Sequence, residues 1–292
     1  MAVLINGTEL AKKVKAEVRL GAEAMVEALG EEARPDMTLI VFEGDPVSRS
    51  LVAMKARDCE AAGIVPTVVE LPDETTEEEL FALIERLNAD EKVTAILCQL
   101  PVPPHVSTKK LLNLISPEKD VDGFSARLDG DITDLAACTP AGVIRMLDEY
   151  GIEVAGKHCV VVGRSNIVGK PMAAQLLMRD ATVTVCHSKT RDLASFTRQA
   201  DVLIVAAGHA GLITADMVKD GAAVIDVGMN YVEGRLAGDV DFEGVSQKAA
   251  FISPVPGGVG PMTRAYLLKN ALRLSAEKHG MGGTAVGSRP NE

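Results

Sequence analysis

Short apolar runs rich in β-branched residues alternate along this chain with stretches whose apolar positions recur every three to four residues. Residues 8–29 read as a helix with Lys and Glu on one side, and Met37-Thr38-Leu39-Ile40-Val41-Phe42 as a buried strand. Gly44-Asp45-Pro46-Val47-Ser48 breaks the pattern, and a helix follows over about 49–62, closed by Gly63. A strand at 67–71, a helix at 77–88, a strand at 93–100 and a helix at 107–115 come next. After Asp120-Val121-Asp122-Gly123-Phe124 the pattern lapses into a loop, and Thr139-Pro140-Ala141-Gly142 opens a helix that runs to about Tyr150. The alternation restarts at Lys157, with a helix at 172–178 and strands at 182–186, 202–206 and 223–227. A Pro/Gly loop over 253–261 precedes a last amphipathic helix, 263–278, with Ala265, Leu268, Ala271 and Leu272 at helical spacing. Such alternation predicts an α/β fold, with parallel sheets covered by helices. A length of 292 residues suits two domains, and the change of pattern places their boundary near Cys138. The Gly/Ser/Pro-rich end, from Gly280 on, reads as a disordered tail.

Composition narrows the function classes. A net charge of −11 argues against a general nucleic-acid or anionic-membrane surface. With no Trp and only 3% aromatic residues there is no stacking platform for single strands either. No run of about 18 apolar residues exists to span a bilayer, and the N-terminus lacks the charged-then-apolar layout of a signal peptide. A cytoplasmic protein without membrane contact is expected. The five cysteines are scattered, without a C-x-x-C pair or a His/Cys cluster. They read as buried free thiols, and no metal site is expected.

One stretch changes the picture from fold to chemistry. Val160-Val161-Val162-Gly163-Arg164-Ser165-Asn166-Ile167-Val168-Gly169-Lys170-Pro171 runs from a strand through a glycine loop into a helix, with Pro171 suited only to a first turn. Strand, loop and helix N-terminus together offer backbone N–H groups and a positive dipole end to a phosphate. The spacing departs from G-x-G-x-x-G, since Ser165 replaces the second glycine and Gly169 comes a residue late. An NAD site carries an acidic residue about 20 positions beyond the loop, for the ribose hydroxyls. Here the next strand ends in His187-Ser188-Lys189-Thr190. Cation and hydroxyl donors suit a 2′-phosphate, so the site reads as NADP.

Other residues are ambiguous one by one. Lys55 lies one helical turn after Leu51 and so on the same face, where a helix lysine is ordinarily a solvated charge. Gln99 ends a very apolar strand at the carboxyl edge, where open α/β sheets bind ligands. Asp122 beside Gly123 suits a turn, and His105 after Pro101-Val102-Pro103-Pro104 reads as loop structure. No Ser/His/Asp set, carboxylate pair or metal-ligand spacing stands out. Hydride transfer needs none, because it proceeds by positioning the donor carbon against the nicotinamide.

Taken together the motifs resemble the bifunctional methylenetetrahydrofolate dehydrogenase/cyclohydrolase family. The matches are Asp45-Pro46, Ser48, Val52 and Lys55, then Gln99-Leu100-Pro101-Val102-Pro103-Pro104-His105, Lys119-Asp120-Val121-Asp122-Gly123-Phe124 and Cys138-Thr139-Pro140-Ala141-Gly142. In the second half they are Val162-Gly163-Arg164-Ser165, Gly169-Lys170-Pro171-Met172, Cys186-His187-Ser188-Lys189-Thr190, Ala223-Val224-Ile225-Asp226-Val227-Gly228 and Pro254-Val255-Pro256-Gly257-Gly258-Val259-Gly260-Pro261-Met262-Thr263. The resemblance implies two α/β domains flanking a cleft, a folate-binding catalytic one over 1–138 plus 263–280 and a Rossmann-like NADP-binding one over 139–262. The final helix then returns to the first domain, and the tail is 281–292. It also implies a homodimer formed through the cofactor domain.

The implied activity is oxidation of 5,10-methylenetetrahydrofolate by NADP to the methenyl form, then hydrolysis to 10-formyltetrahydrofolate. The implied catalytic residues are Lys55, Gln99 and Asp122, with Leu51, Pro256, Gly257 and Gly258 also against the folate. Lys55 handles protons, Gln99 tunes it, and Asp122 holds the pterin. The implied cofactor residues are Gly163, Arg164, Ser165, Ile167, Val168, His187, Ser188, Gly208 and Gly228, with Arg164 and Ser188 on the 2′-phosphate. One departure divides the readings. The family carries Tyr four residues before the catalytic lysine, and this chain has Leu51. Either both activities survive, or the chain is a dehydrogenase with weak or lost cyclohydrolase activity, since proton assistance is worth about 100- to 10,000-fold. A folate-binding protein on a retired enzyme fold is the reading from a different class.

Overall fold

The computed structural model describes residues 1–124 and 137–281. In chain order its elements begin β1 (Val3–Leu4), α1 (Gly7–Leu29), β2 (Asp36–Phe42), α2 (Pro46–Ala61), β3 (Val65–Leu71), α3 (Glu77–Ala89), β4 (Ile96–Cys98) and α4 (Thr108–Leu114). They continue with α5 (Cys138–Glu149), β5 (His158–Val162), α6 (Gly169–Leu177), β6 (Thr182–Cys186), α7 (Leu193–Thr197), β7 (Val202–Val205) and β8 (Ala223–Asp226). The chain closes on the hairpin β9 (Asn230–Val232) and β10 (Arg235–Ala237), then α8 (Phe242–Ser246), β11 (Phe251–Ile252) and α9 (Val259–Lys278). No helix among the described residues is long and apolar enough to cross a membrane.

The fold is α/β with two compact units, Lys13–Asp131 with Leu267–Glu292, and Met1–Lys12 with Ile132–Tyr266. In the first, a parallel sheet of order β3-β2-β4 carries α3 and α4 on one face. Ile40 and Phe42 of β2 meet Leu80 and Ile84 of α3, Ile96 and Cys98 of β4, and Leu111 of α4 there. Burying those side chains is the main stabilising term for this layer. In the second unit six parallel strands lie in the order β1-β11-β8-β7-β5-β6. Val160 and Val162, Leu203 and Val205, and Val224 form its core. The chain's order reverses between β5 and β7, which makes their carboxyl ends the switch point where such sheets take ligands.

Several boundaries differ from the sequence reading. The helix expected from about residue 49 starts at Pro46, because Asp45 caps it through the Val47 N–H at 3.1 Å and proline is at home in a first turn. The strand expected over 93–100 pairs only through Ile96–Cys98. The last helix begins four residues earlier than expected, at Val259. The sequence reading puts residues 1–12 in the first domain, but Val3 and Leu4 pair with Phe251 and Ile252 at the edge of the larger sheet. Residues 1–12 therefore belong with the second unit. The hairpin β9–β10 and the short β1, β11, α7 and α8 were not expected, since two to five residues carry too little period to register. The expected loop over 125–136 and the expected tail from 282 on lie outside the described residues. All five cysteines are buried and free.

Candidate active site

In the Lys13–Asp131 unit three elements converge. Lys55 stands on α2, with half-buried Leu51 one turn before it. Gln99 follows β4 directly at its carboxyl end and is 9% exposed. The Lys55 Nζ donates to Gln99 Oε1 at 2.9 Å, and Gln99 Nε2 donates to the Leu100 carbonyl at 2.6 Å. The amide is thus oriented by its own backbone, with its oxygen turned to the ammonium. Asp122 sits in a turn held from both sides. Gly123, at φ +71°, donates its N–H to Asp120 Oδ1 at 3.1 Å, and Asn270 of α9 donates to the Val121 carbonyl at 2.9 Å. Burial pushes the Asp122 carboxyl up to about 6, against the pull of the Lys55 cation and with a further push from Asp120. The neighbouring Cys98 thiol is pushed up to about 12, first by burial and then by the Asp122 charge, so it stays protonated. Lys55, Gln99 and Asp122, ambiguous singly in the sequence, therefore form one constellation. An ammonium, an amide that fixes it and a carboxyl raised by burial can together bind a heterocycle and exchange protons with it.

His105 reaches from its loop to the Thr75 carbonyl, with Nε2 at 2.9 Å, and has the structural place expected of it. Pro256, Gly257 and Gly258 lie in the other unit. Gly257 has φ +105°, which requires glycine, and a Cβ on Gly258 would meet the Pro254 carbonyl oxygen at 2.5 Å. Those two glycines are thus accounted for by backbone geometry already.

The dinucleotide loop follows β5. A Cβ on Gly163 would collide with the Ala206 carbonyl and one on Gly169 with the Gly163 carbonyl, so both glycines are needed for the turn to close. Ser165 Oγ accepts the N–H groups of Val168 at 3.1 Å and Gly169 at 3.3 Å. The helix-end donors expected to meet a phosphate are thus satisfied internally, Val168's among them. The amides of Arg164, Ser165, Asn166 and Ile167 have no acceptor among the described residues, and it is this earlier part of the loop that can receive one. Arg164, Ser188 and Lys189 are exposed. The half-buried His187 is fixed by its own N–H to Thr190 Oγ1 at 2.9 Å and by the Lys189 N–H to Nδ1 at 3.2 Å. A glycine turn with open amides, flanked by cationic and hydroxyl groups, fits a phosphorylated dinucleotide.

Gly208 and Gly228 prove to have partners the sequence did not suggest. The Gly208 N–H donates to Asp239 Oδ2 at 2.9 Å and the Gly228 N–H to Asp226 Oδ1 at 2.8 Å. Both carboxylates are buried, Asp239 completely. Burial pushes Asp226 up to about 6, opposed by the amides of Asp239, Gly228 and Val240. The signal that could have found them is the Asp226-Val227-Gly228 and Gly238-Asp239 pairing, acid beside glycine at the ends of apolar strands.

A three-stranded unit carrying a Lys–Gln–Asp set, joined to a parallel sheet with a glycine loop at its switch point, is the build of a two-domain nicotinamide-dependent enzyme. Residues 5–122 match the tetrahydrofolate dehydrogenase/cyclohydrolase catalytic domain, and residues 137–279 the NAD(P)-binding domain of the same family. The chain belongs to the tetrahydrofolate dehydrogenase/cyclohydrolase family. It is 50% identical to the bifunctional protein FolD of Halothermothrix orenii over 288 residues, 96% of this chain and 100% of that one. Its structure is similar to the crystal structure of the bifunctional FolD dehydrogenase/cyclohydrolase of Campylobacter jejuni, with TM-score 0.91 and 44% identity over 95% of this chain and 99% of that one. The Trypanosoma brucei FolD, solved with NADP cofactor and inhibitor, gives TM-score 0.88 and 38% identity over 94% of this chain and 98% of that one.

Proposed function

We propose that this chain oxidises 5,10-methylenetetrahydrofolate with NADP to 5,10-methenyltetrahydrofolate, then hydrolyses that cation to 10-formyltetrahydrofolate with release of a proton. The observation that carries the reading is the Lys55–Gln99 contact at 2.9 Å beside a carboxyl pushed up to about 6. NADP, when bound, would supply the hydride acceptor. On the protein's side, Gln99 holds the Lys55 ammonium where it gives and takes protons at the folate, and Asp122 hydrogen-bonds the pterin. The Arg164–Ile167 amides hold a phosphate of the dinucleotide, and Arg164 and Ser188 the 2′-phosphate. Leu51 is compatible with both steps. Lys55 donates to Gln99 Oε1, which orients it without a tyrosine hydroxyl one turn earlier. The chain acts in the cytoplasm and as a homodimer.

The test follows NADPH and methenyltetrahydrofolate absorbance separately, with the natural chain and with Lys55→Met. The natural chain is expected to form NADPH with little methenyl accumulation and to hydrolyse added methenyltetrahydrofolate faster than buffer. Lys55→Met is expected to lose hydrolysis by about 100-fold or more while keeping part of the dehydrogenation. Stoichiometric methenyl build-up by the natural chain would leave only the dehydrogenase. Equal loss of both activities in the variant would remove the proton role from Lys55.

A further inference from the structure

The loop after β7, Ala207-Gly208-His209, is exposed on its outer side, yet its three consecutive N–H groups all point inward to one side chain. Asp239 Oδ2 accepts from Ala207 at 2.6 Å and Gly208 at 2.9 Å, and Oδ1 from His209 at 2.7 Å and from Asn230 Nδ2 at 2.8 Å. Three successive amides converging on an anion form the concavity that elsewhere takes a phosphate. Here a carboxylate of the protein fills it, so a dinucleotide phosphate has no donors to find in this loop.

Asp239 is itself held from below. Its N–H donates to Asp226 Oδ1 at 2.9 Å, the Val240 N–H to Asp226 Oδ2 at 3.0 Å, and the Gly228 N–H to Asp226 Oδ1 at 2.8 Å. The backbone makes room for both acids with glycine. A Cβ on Gly228 would collide with the Asp239 backbone amide, and one on Gly238 with the Asp226 carboxylate. The braced loop begins beside Ala206, whose carbonyl oxygen is what a Cβ on Gly163 would strike. The brace therefore shapes the β7 side of the switch point, opposite the glycine turn of β5.

We propose that Asp239 is a positioning residue for the nicotinamide cofactor, holding Ala207-Gly208-His209 in the one shape that admits the dinucleotide beside the Gly163 turn. This rests on the reading of the unit as NADP-binding. The acid touches no reacting atom. Its role is to give four donors an acceptor, and a side chain with a single acceptor oxygen leaves at least some of those part-buried donors without a protein partner.

The experiment compares the full natural chain with Asp239→Asn and Asn230→Ala. Three readouts are taken: amide hydrogen exchange without ligand, NADP affinity by titration calorimetry, and methenyltetrahydrofolate hydrolysis without NADP. In the natural chain the 207–209 amides are expected to exchange as slowly as the strand amides of Leu203 and Val205. In Asp239→Asn they are expected to exchange at least about tenfold faster, with β7 unchanged, NADP affinity about tenfold weaker and hydrolysis within about twofold of normal. Asn230→Ala, which removes one donor and leaves the acid, is expected to move the same readouts by about two- to threefold. Unprotected 207–209 amides in the natural chain, normal NADP affinity in Asp239→Asn, or a parallel loss of hydrolysis would each overturn the proposal. Should Asp239→Asn not fold, the natural chain's exchange and the Asn230→Ala affinity decide the matter. A natural chain that binds no NADP would sink the cofactor reading instead, and the exchange data would still report on the brace.

Discussion

At the scale of residues, the chemistry of this protein comes from what stands beside each side chain. Asp122 looked like a turn former in the sequence and is one, since Gly123 and Asp120 close the turn around it. Its value lies in the burial that this turn imposes, which raises its carboxyl to about 6. A carboxyl raised on folding favours the neutral, folded form, so that stabilisation is present below about pH 4 and lost as pH rises through about 6. Removing the charge reverses the loss. Asp122→Asn is expected to melt about 2–4 °C higher than the natural chain at pH 7.5, with no gain at pH 4, while its activity falls. Melting curves at the two pH values check this, and a gain that does not depend on pH would mean that the charge of Asp122 is not what burial opposes. Lys55 and Gln99 were likewise named in the sequence, one by one as a solvated charge and a strand-end amide, and as a catalytic set only through the family resemblance. Asn270 was not named at all, because a buried polar residue inside an apolar stretch looks like any other until its partner is known, and Asp239 had only its glycine neighbour as a signal.

At the scale of elements, local pattern was informative wherever period and end signals agreed. Strand β6 ends where the sequence put it, and α3 carries the capping box that Thr76 and Glu79 spell out, with their reciprocal bonds at 3.2 and 2.9 Å. The glycine turn was legible as a phosphate loop, but its working part was not. Ser165 takes the helix-end amides, which shifts the open donors back to 164–167, beside the Arg164 guanidinium. On the proposed reading the Arg164 charge meets the 2′-phosphate, the group that distinguishes NADP from NAD. Arg164→Ala is therefore expected to raise the KM for NADP by about tenfold or more and that for NAD by less than about twofold. Steady-state kinetics with the two cofactors decide it, and equal changes would take Arg164 off the 2′-phosphate.

At the scale of the whole molecule, the two units divide the labour between folate chemistry and cofactor binding. The hairpin β9–β10 of the cofactor unit exposes Tyr231 and Val232, with exposed Met229 just before it, an apolar set that suits burial against a second copy. Sedimentation is expected to give twice the mass of one chain, and Tyr231→Glu to shift it toward one. A natural chain sedimenting as a monomer would end the dimer reading. The sequence by itself determined the alternation of strands and helices, the place of the glycine turn and the absence of an acidic ribose partner, because each depends on neighbours within a few residues. Only the tertiary structure decided that Val3 and Leu4 join the larger sheet, that Lys55 meets Gln99 across 44 positions, and that Asp239 fills the Ala207–His209 amides across about 30. The physical reason is the same in each case. Strand pairing and buried hydrogen bonds join groups far apart in the chain, and their free energy depends on a desolvated partner that no local window contains.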